Sequence, residues 1–312
     1  TVSPPDASGN LSLGISVDYT LQAIKSAKTV IAEVNPNMPV TGTGSLIPVE
    51  DIDYFVPADI PLISQDPPVI GEVEKTIGQN IAELIKDGDC LQLGIGAVPD
   101  AILSFLQDKK DLGIHSEMIS DGVMDLVKCG VINCSRKNYY PGKIVIAFAM
   151  GTSEFYKWLD HNPMIEGLPV SITNIPFNIA KNDNMVAINS ALSVDLLGQV
   201  AADTLPGIQF SGVGGQVDFV RGATDSKGGR AIIALPSTAA KGSVSRIVAS
   251  LDRGQAVTTS RYDVDYVVTE YGVAHLKWKT NRDRAKALIS IAAPEFREAL
   301  KYEYNQLYGE IL

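Results

Sequence analysis

Residues Cys90 to Asp125 read CLQLGIGAVPDAILSFLQDKKDLGIHSEMISDGVMD. Cys90-Leu91-Gln92-Leu93 predicts a short buried strand, Gly94-Ile95-Gly96 a turn where backbone can approach a ligand, and Pro99 the first turn of a helix. Ile102, Leu103 and Leu106 give that helix an inner face. After Asp111-Leu112-Gly113 a second strand begins near Ile114, and its end presents His115, Ser116 and Glu117. Strand, helix and strand in this order imply a right-handed crossover, which brings the glycine turn and Glu117 to the carboxyl edge of one parallel sheet. A carboxylate then faces a loop of free backbone N–H groups.

Working outward, the same alternation continues. Upstream, strands are expected around Leu13, Ile15 and Val17 and over Thr29–Val34, with a short helix over Tyr19–Ser26 between them. Asn35-Pro36-Asn37-Met38-Pro39 and Thr41-Gly42-Thr43-Gly44 are breakers that mark a functional loop or a domain edge. Pro57, Pro61, Pro67 and Pro68 mark a linker, so the division falls into residues 1–66 and 67–312. Val73, Ile77, Ile81, Leu84 and Ile85 lie on one helical face, stopped at Asp87-Gly88. Downstream, Asp121–Val127 reads as a helix and Lys143–Phe148 as a buried strand. Further strands are expected at Asn182–Asn189, Ile208–Phe210, Ala231–Leu235 and Tyr266–Glu270, and a charged helical tail runs from Arg282. The class is α/β, with a parallel or mixed sheet covered on both faces.

The 312 residues are 45% hydrophobic and 20% charged, as in an ordinary globular protein, and long enough for two domains. With 26 basic against 36 acidic residues the formal net charge is −10, which argues against a nucleic-acid or anionic-membrane partner. No apolar run reaches the roughly 18 residues of a membrane span. The three cysteines, Cys90, Cys129 and Cys134, form no even disulfide framework and no zinc-ligand spacing. Reduced thiols, a cytoplasmic location and no metal are the expectation.

Four features could carry chemistry, each with a plainer alternative. Gly94 and Gly96 after a strand, with Glu117 near ribose-binding spacing, make a partial dinucleotide fingerprint; Pro99 stands where a third glycine should be, and an ordinary βα turn reads equally well. Glu117 sits among Ile114, Met118 and Ile119, as a tuned nucleophile or base would, or as a helix-capping or surface carboxylate. Ser211–Asp218 (SGVGGQVD) could turn the N–H groups of Gly212, Gly214 and Gly215 inward as an oxyanion hole, or could be a bulged hairpin. Arg221, Lys227, Arg230, Lys241 and Arg246 follow it closely, either for phosphates or as solvated charges.

Five segments in order then become recognisable: GIGAVPDAIL (Gly94–Leu103), GIHSEMISDGVMDLV (Gly113–Val127), SGVGGQVDFVRGA (Ser211–Ala223), IIALPSTA (Ile232–Ala239) and YVVTEYGVAHL (Tyr266–Leu276). With SPPDASGNLSLGISVDYT (Ser3–Thr20) the chain resembles, over essentially its whole length, the acetyl-CoA hydrolase/transferase family, on the side of its 4-hydroxybutyrate and butyryl-CoA:acetate CoA-transferases. The resemblance implies two α/β domains of CoA-transferase fold, with further N-terminal chain before Thr1-Val2-Ser3-Pro4-Pro5-Asp6. It assigns the nucleophile to Glu117, the oxyanion and CoA contacts to Gly212, Gly214 and Gly215, further CoA contacts to Gly94 and Gly96, and a phosphate contact to Lys241. It implies ping-pong chemistry through a glutamyl-CoA thioester, with CoA as substrate rather than resident cofactor, in a cytoplasmic homodimer. Three rivals stand beside this: an acyl-CoA hydrolase on the same scaffold, an NAD-dependent oxidoreductase, and a non-catalytic CoA-binding fragment.

Overall fold

The computed structural model describes residues 1–312. Its central sheet holds six strands: β1 (Cys90–Gln92), β2 (Gly113–Ile114), β3 (Met185–Ser190), β4 (Arg230–Ala234), β5 (Tyr266–Thr269) and β6 (Gly272–His275). They lie in the order β6-β5-β4-β3-β1-β2, and every neighbouring pair is parallel except β5 with β6. Strands of a parallel sheet need both faces covered, and alternate residues here do point into different cores. Leu91, Val186, Ile188, Ile232 and Val268 pack with Ile77 and Ile81 of α1 (Glu72–Ala82), Ile102 and Leu103 of α2 (Ala97–Ser104) and Val123 of α3 (Asp121–Lys128). Cys90, Met185 and Ala187 face the other way, onto Phe219 and Ala223 of α4 (Gln216–Asp225). Ala231, Ile233 and Val267 share that second face with Leu288 of α5 (Asn281–Ile291) and Leu300 of α6 (Arg297–Tyr308). Each Leu, Ile, Val, Met or Phe side chain among them, buried fully, contributes about 1.5–3 kcal/mol. The expected helical tail is thus two helices, parted at Pro294.

The chain leaves this sheet just after Ile114. His115 bridges Val145, Met118–Ile119 pairs in parallel with Phe148–Ala149, and Ile144–Ile146 pairs in parallel with Ile165–Gly167. The single strand expected through Glu117 is therefore two short ones, with Glu117 at the break between two layers. Lys143–Phe148 likewise divides at Ala147, whose N–H bonds the Glu117 carbonyl at 2.8 Å.

Residues before the linker form a smaller unit around Val2, Leu11, Leu13, Val17, Ala32, Ile47 and Ile52. Its strands are Asn10–Ser12, antiparallel to Leu46–Pro48, and Ile31–Val34, parallel to Tyr54–Pro57. No strand runs over Leu13–Val17, because the N–H groups of Val17 and Asp18 turn to the Ala147 carbonyl at 3.0 and 3.1 Å. That detour ties the N-terminal unit to the layer bearing Glu117. The Thr41–Gly44 breaker packs close: a Cβ on Gly44 would lie 2.6 Å from the Gly167 carbonyl oxygen. The strand expected at Ile208–Phe210 is present as Ile208–Gln209, exposed and paired in a two-stranded ribbon with Thr204–Leu205.

Candidate active site

Glu117 is half-buried and stands at the amino end of α4. Gly215 caps that helix with φ −85°, and a Cβ on it would fall 2.1 Å from Glu117 Oε2 and 2.7 Å from Asn174 Nδ2. Carboxylate, backbone amide and side-chain amide therefore meet at one point. Burial holds the Glu117 carboxyl above its ordinary range, the Gly215 amide and the Asn174 side chain pull it partly back, and the nearby charges of Asp218 and Asp18 push it up again. The result is a carboxylate more basic than a solvated one, placed where a helix dipole and the Gly215 N–H can receive negative charge.

The seam between the layers fixes Glu117 from behind. Ser116 donates its N–H to the Val145 carbonyl at 3.0 Å and its hydroxyl to the Leu93 carbonyl at 3.0 Å, so the glycine turn and the Glu117 segment are tied together. The buried Lys137 ammonium donates to the Ile114 carbonyl of β2 at 2.7 Å and to the carbonyl of Lys143, just before the Ile144–Ile146 strand, at 2.6 Å. His115 is fully buried, with Nε2 2.9 Å from the Thr173 carbonyl and Nδ1 3.3 Å from Asn182 Nδ2. Those partners select the neutral tautomer with its hydrogen on Nε2. Burial, helped by the Lys137 charge, lowers the His115 pKa to about 3. It is a spacer, not a base.

Of the glycines singled out by sequence, Gly215 touches Glu117. Gly212 and Gly214 stand just before it in an exposed loop with open space at both, and Gly214 takes φ +56°. Gly94 and Gly96 occupy the carboxyl edge of β1, also with open space, and Gly96 caps α2 at φ +113°, a conformation that favours glycine. Lys241 sits on the exposed tip of the Thr238–Ser245 hairpin in a left-handed conformation, φ 59°, and makes no ion pair. The other basic residues are mostly spent. Arg221 pairs with Asp263 at 3.4 Å, Lys227 with Asp183 at 3.8 Å and the half-buried Arg230 with Asp89, which leaves Lys241 and Arg246 as the members of the run without an ion pair. Asn174 went unnoticed in sequence, where Ile-Thr-Asn-Ile-Pro carries no spacing signal. A cleft of about 250 Å³ between α2 and α3 includes Gly96 and the carboxylates Asp100, Asp121 and Asp125, but not Glu117.

The chain matches the acetyl-CoA hydrolase/transferase N-terminal domain over residues 1–63 and the C-terminal domain of the same name over residues 151–304. It is 62% identical over 307 residues to the 4-hydroxybutyrate coenzyme A transferase of Clostridium kluyveri, covering 98% of this chain and 72% of that protein. It is 50% identical over 299 residues to the succinyl-CoA:cyclohexane-1-carboxylate CoA transferase of Geobacter metallireducens, covering 96% of this chain and 68% of that one. Among solved structures, the 4-hydroxybutyrate CoA-transferase of Porphyromonas gingivalis superposes with a TM-score of 0.88 at 47% identity, over 98% of this chain and 74% of that chain.

Proposed function

Because the chain belongs to the acetyl-CoA hydrolase/transferase family, we propose that it moves CoA from a short-chain acyl-CoA, of the 4-hydroxybutyryl, butyryl or acetyl kind, to a carboxylic acid such as acetate. Glu117 attacks the thioester carbonyl and expels CoA thiolate, giving an acyl-glutamyl anhydride. The thiolate then attacks the glutamyl carbonyl, releasing the acyl carboxylate and leaving a glutamyl-CoA thioester. An acceptor carboxylate attacks that thioester and expels the thiolate again. Thiolate attack on the acceptor's own carbonyl completes the new acyl-CoA and frees Glu117. Each attack puts negative charge on a carbonyl oxygen, which the Gly215 N–H would receive, with Gly212 and Gly214 leaving room for the thioester. Gly94 and Gly96 would lie against CoA, and Lys241 would meet a phosphate. CoA is substrate here, and the reading needs no resident cofactor. It extends to a cytoplasmic homodimer, in keeping with three unpaired cysteines.

The observation that carries the reading is the closeness of Glu117 to the Gly215 cap, where a side chain of any size at 215 would meet the carboxylate. The test is incubation with butyryl-CoA, borohydride reduction and mass spectrometry of the tryptic peptide Asp111–Lys128. A glutamyl thioester is reduced to an alcohol, so the peptide loses mass at Glu117, and only when acyl-CoA was present. An unmodified peptide from protein that binds CoA sinks the Glu117 assignment. Trapping of the thioester together with release of free CoA in the absence of acceptor would favour the hydrolase, in which water takes the acceptor's place.

A further inference from the structure

The strand order reverses between β1 and β3, and at such a switch point the carboxyl ends of the strands open a crevice where ligands lie. Gln92 ends β1 and Asn189 stands one residue before the end of β3. By alternation both point to the face covered by α4, since Cys90, Met185 and Ala187 do. That is the face on which Gly215 begins α4 beside Glu117.

The two side-chain amides bond reciprocally. Gln92 Nε2 donates to Asn189 Oδ1 at 3.3 Å, and Asn189 Nδ2 donates to Gln92 Oε1 at 3.0 Å. Gln92 Nε2 gives its other hydrogen to the Ile188 carbonyl at 3.4 Å. A carbonyl only accepts, so this bond fixes which way round the Gln92 amide lies, and the reciprocal pair then fixes Asn189. Gln92 is buried and its donors are spent. Asn189 is half-buried and keeps one N–H and one Oδ1 lone pair uncommitted at the mouth of the crevice. A donor and an acceptor held side by side complement a secondary amide.

We propose that Asn189, clamped by Gln92, binds an amide of the substrate's carrier arm. The inference rests on the CoA reading above, because the pantetheine arm of CoA carries secondary amides between its sulfur and its phosphates. β3 lies two strands from β2, so Asn189 is about 10 Å across the sheet from the strand that leads into Glu117. At that span a thioester can rest on Glu117 while an amide of its arm meets Asn189.

The test is Asn189→Ala, with CoA affinity by calorimetry and transfer kinetics on two thioesters: butyryl-CoA, and the butyryl thioester of methyl 3-mercaptopropionate, which has the same acyl group and no amide. Losing one bidentate amide contact should weaken CoA binding and raise KM for butyryl-CoA by about tenfold, with kcat changed by less than about twofold. The amide-free thioester should react alike with both proteins. Asn189→Leu, which keeps the volume, should repeat the pattern. Equal losses on both thioesters would make Asn189 a structural residue and overturn the proposal, as would unchanged CoA affinity in either variant. Wild-type protein that binds no CoA would instead overturn the underlying reading.

Discussion

Replacing Gly215 with alanine isolates the contact on which the proposed chemistry depends. The new Cβ would stand 2.1 Å from Glu117 Oε2, 3.2 Å from Glu117 Cδ and 2.7 Å from Asn174 Nδ2. Real Cβ contacts do not fall below 3.0 Å, so the carboxylate must retreat by about 0.9 Å, the difference between 3.0 and 2.1 Å. The backbone at 215, φ −85°, suits alanine without strain. Alanine is a poorer helix cap than glycine by a fraction of about 1 kcal/mol, and its smaller unfolded-state entropy offsets roughly 0.4–1 kcal/mol of that. Stability should hardly move, whereas a nucleophile misplaced by about 1 Å loses on the order of a hundredfold in rate. The assay is kcat for CoA transfer beside the thermal midpoint, with Gly130→Ala, in the exposed turn after α3, as control. At Gly130 nothing lies within 4 Å of a new Cβ, but φ is +79°, so alanine there should cost about 1–2 kcal/mol of stability and little chemistry. A Gly215→Ala protein with kcat within about threefold of wild type would refute the reasoning, and so would a Gly130→Ala protein that loses as much.

Two further outcomes follow from charge. In the proposed mechanism the carboxylate form of Glu117 is the nucleophile and exists above its pKa, which burial raises and the Asp218 charge raises further; Asp218→Asn should therefore move the acid limb of the kcat/KM profile to lower pH, and an unmoved limb would detach Asp218 from the site. His115 has a folded pKa of about 3 against 6.5 when free, so its contribution to stability is intact above 6.5 and is lost as pH falls toward 3. The loss approaches ~1.4 kcal/mol per pH unit below 6.5. Urea midpoints between pH 7.5 and 5 should fall more steeply for wild type than for His115→Gln, and parallel slopes would show that His115 is already protonated in the fold.

What could be read from the sequence was whatever local chemistry determines. Gly94-Ile95-Gly96 followed by Pro99 marks a strand-turn-helix without reference to anything distant, and the β1-α2-β2 unit stands where that pattern placed it. The break at Glu117 was not legible, because it is made by Val145 and Ala147, whose hydrogen bonds draw the chain out of the central sheet. Charge misled for the same reason: Arg230 looks free in sequence, and only the parallel register that sets β4 beside β3 and β3 beside β1 brings it to Asp89. Asn174 and Asn189 were invisible because a lone asparagine has no periodicity, and its meaning comes from the group across from it.

The features of the site share a place in the fold. Glu117 lies where two layers exchange the chain, Gly215 begins the helix covering that edge, and Gln92 with Asn189 marks the point where strand order reverses. Each owes its position to contacts between segments far apart in sequence, from Leu93 with Ser116 to Glu117 with Gly215. A carboxylate held this way is fixed by several independent elements, so a shift in one of them is resisted by the others. The N-terminal unit adds one more constraint, since Val17 and Asp18 bond the same Ala147 carbonyl whose residue donates to Glu117. Loosening that unit should therefore reach the site through this seam, where the Ala149 N–H also bonds the Ile15 carbonyl at 2.9 Å, and the geometry of Glu117 depends on chain on both sides of the linker.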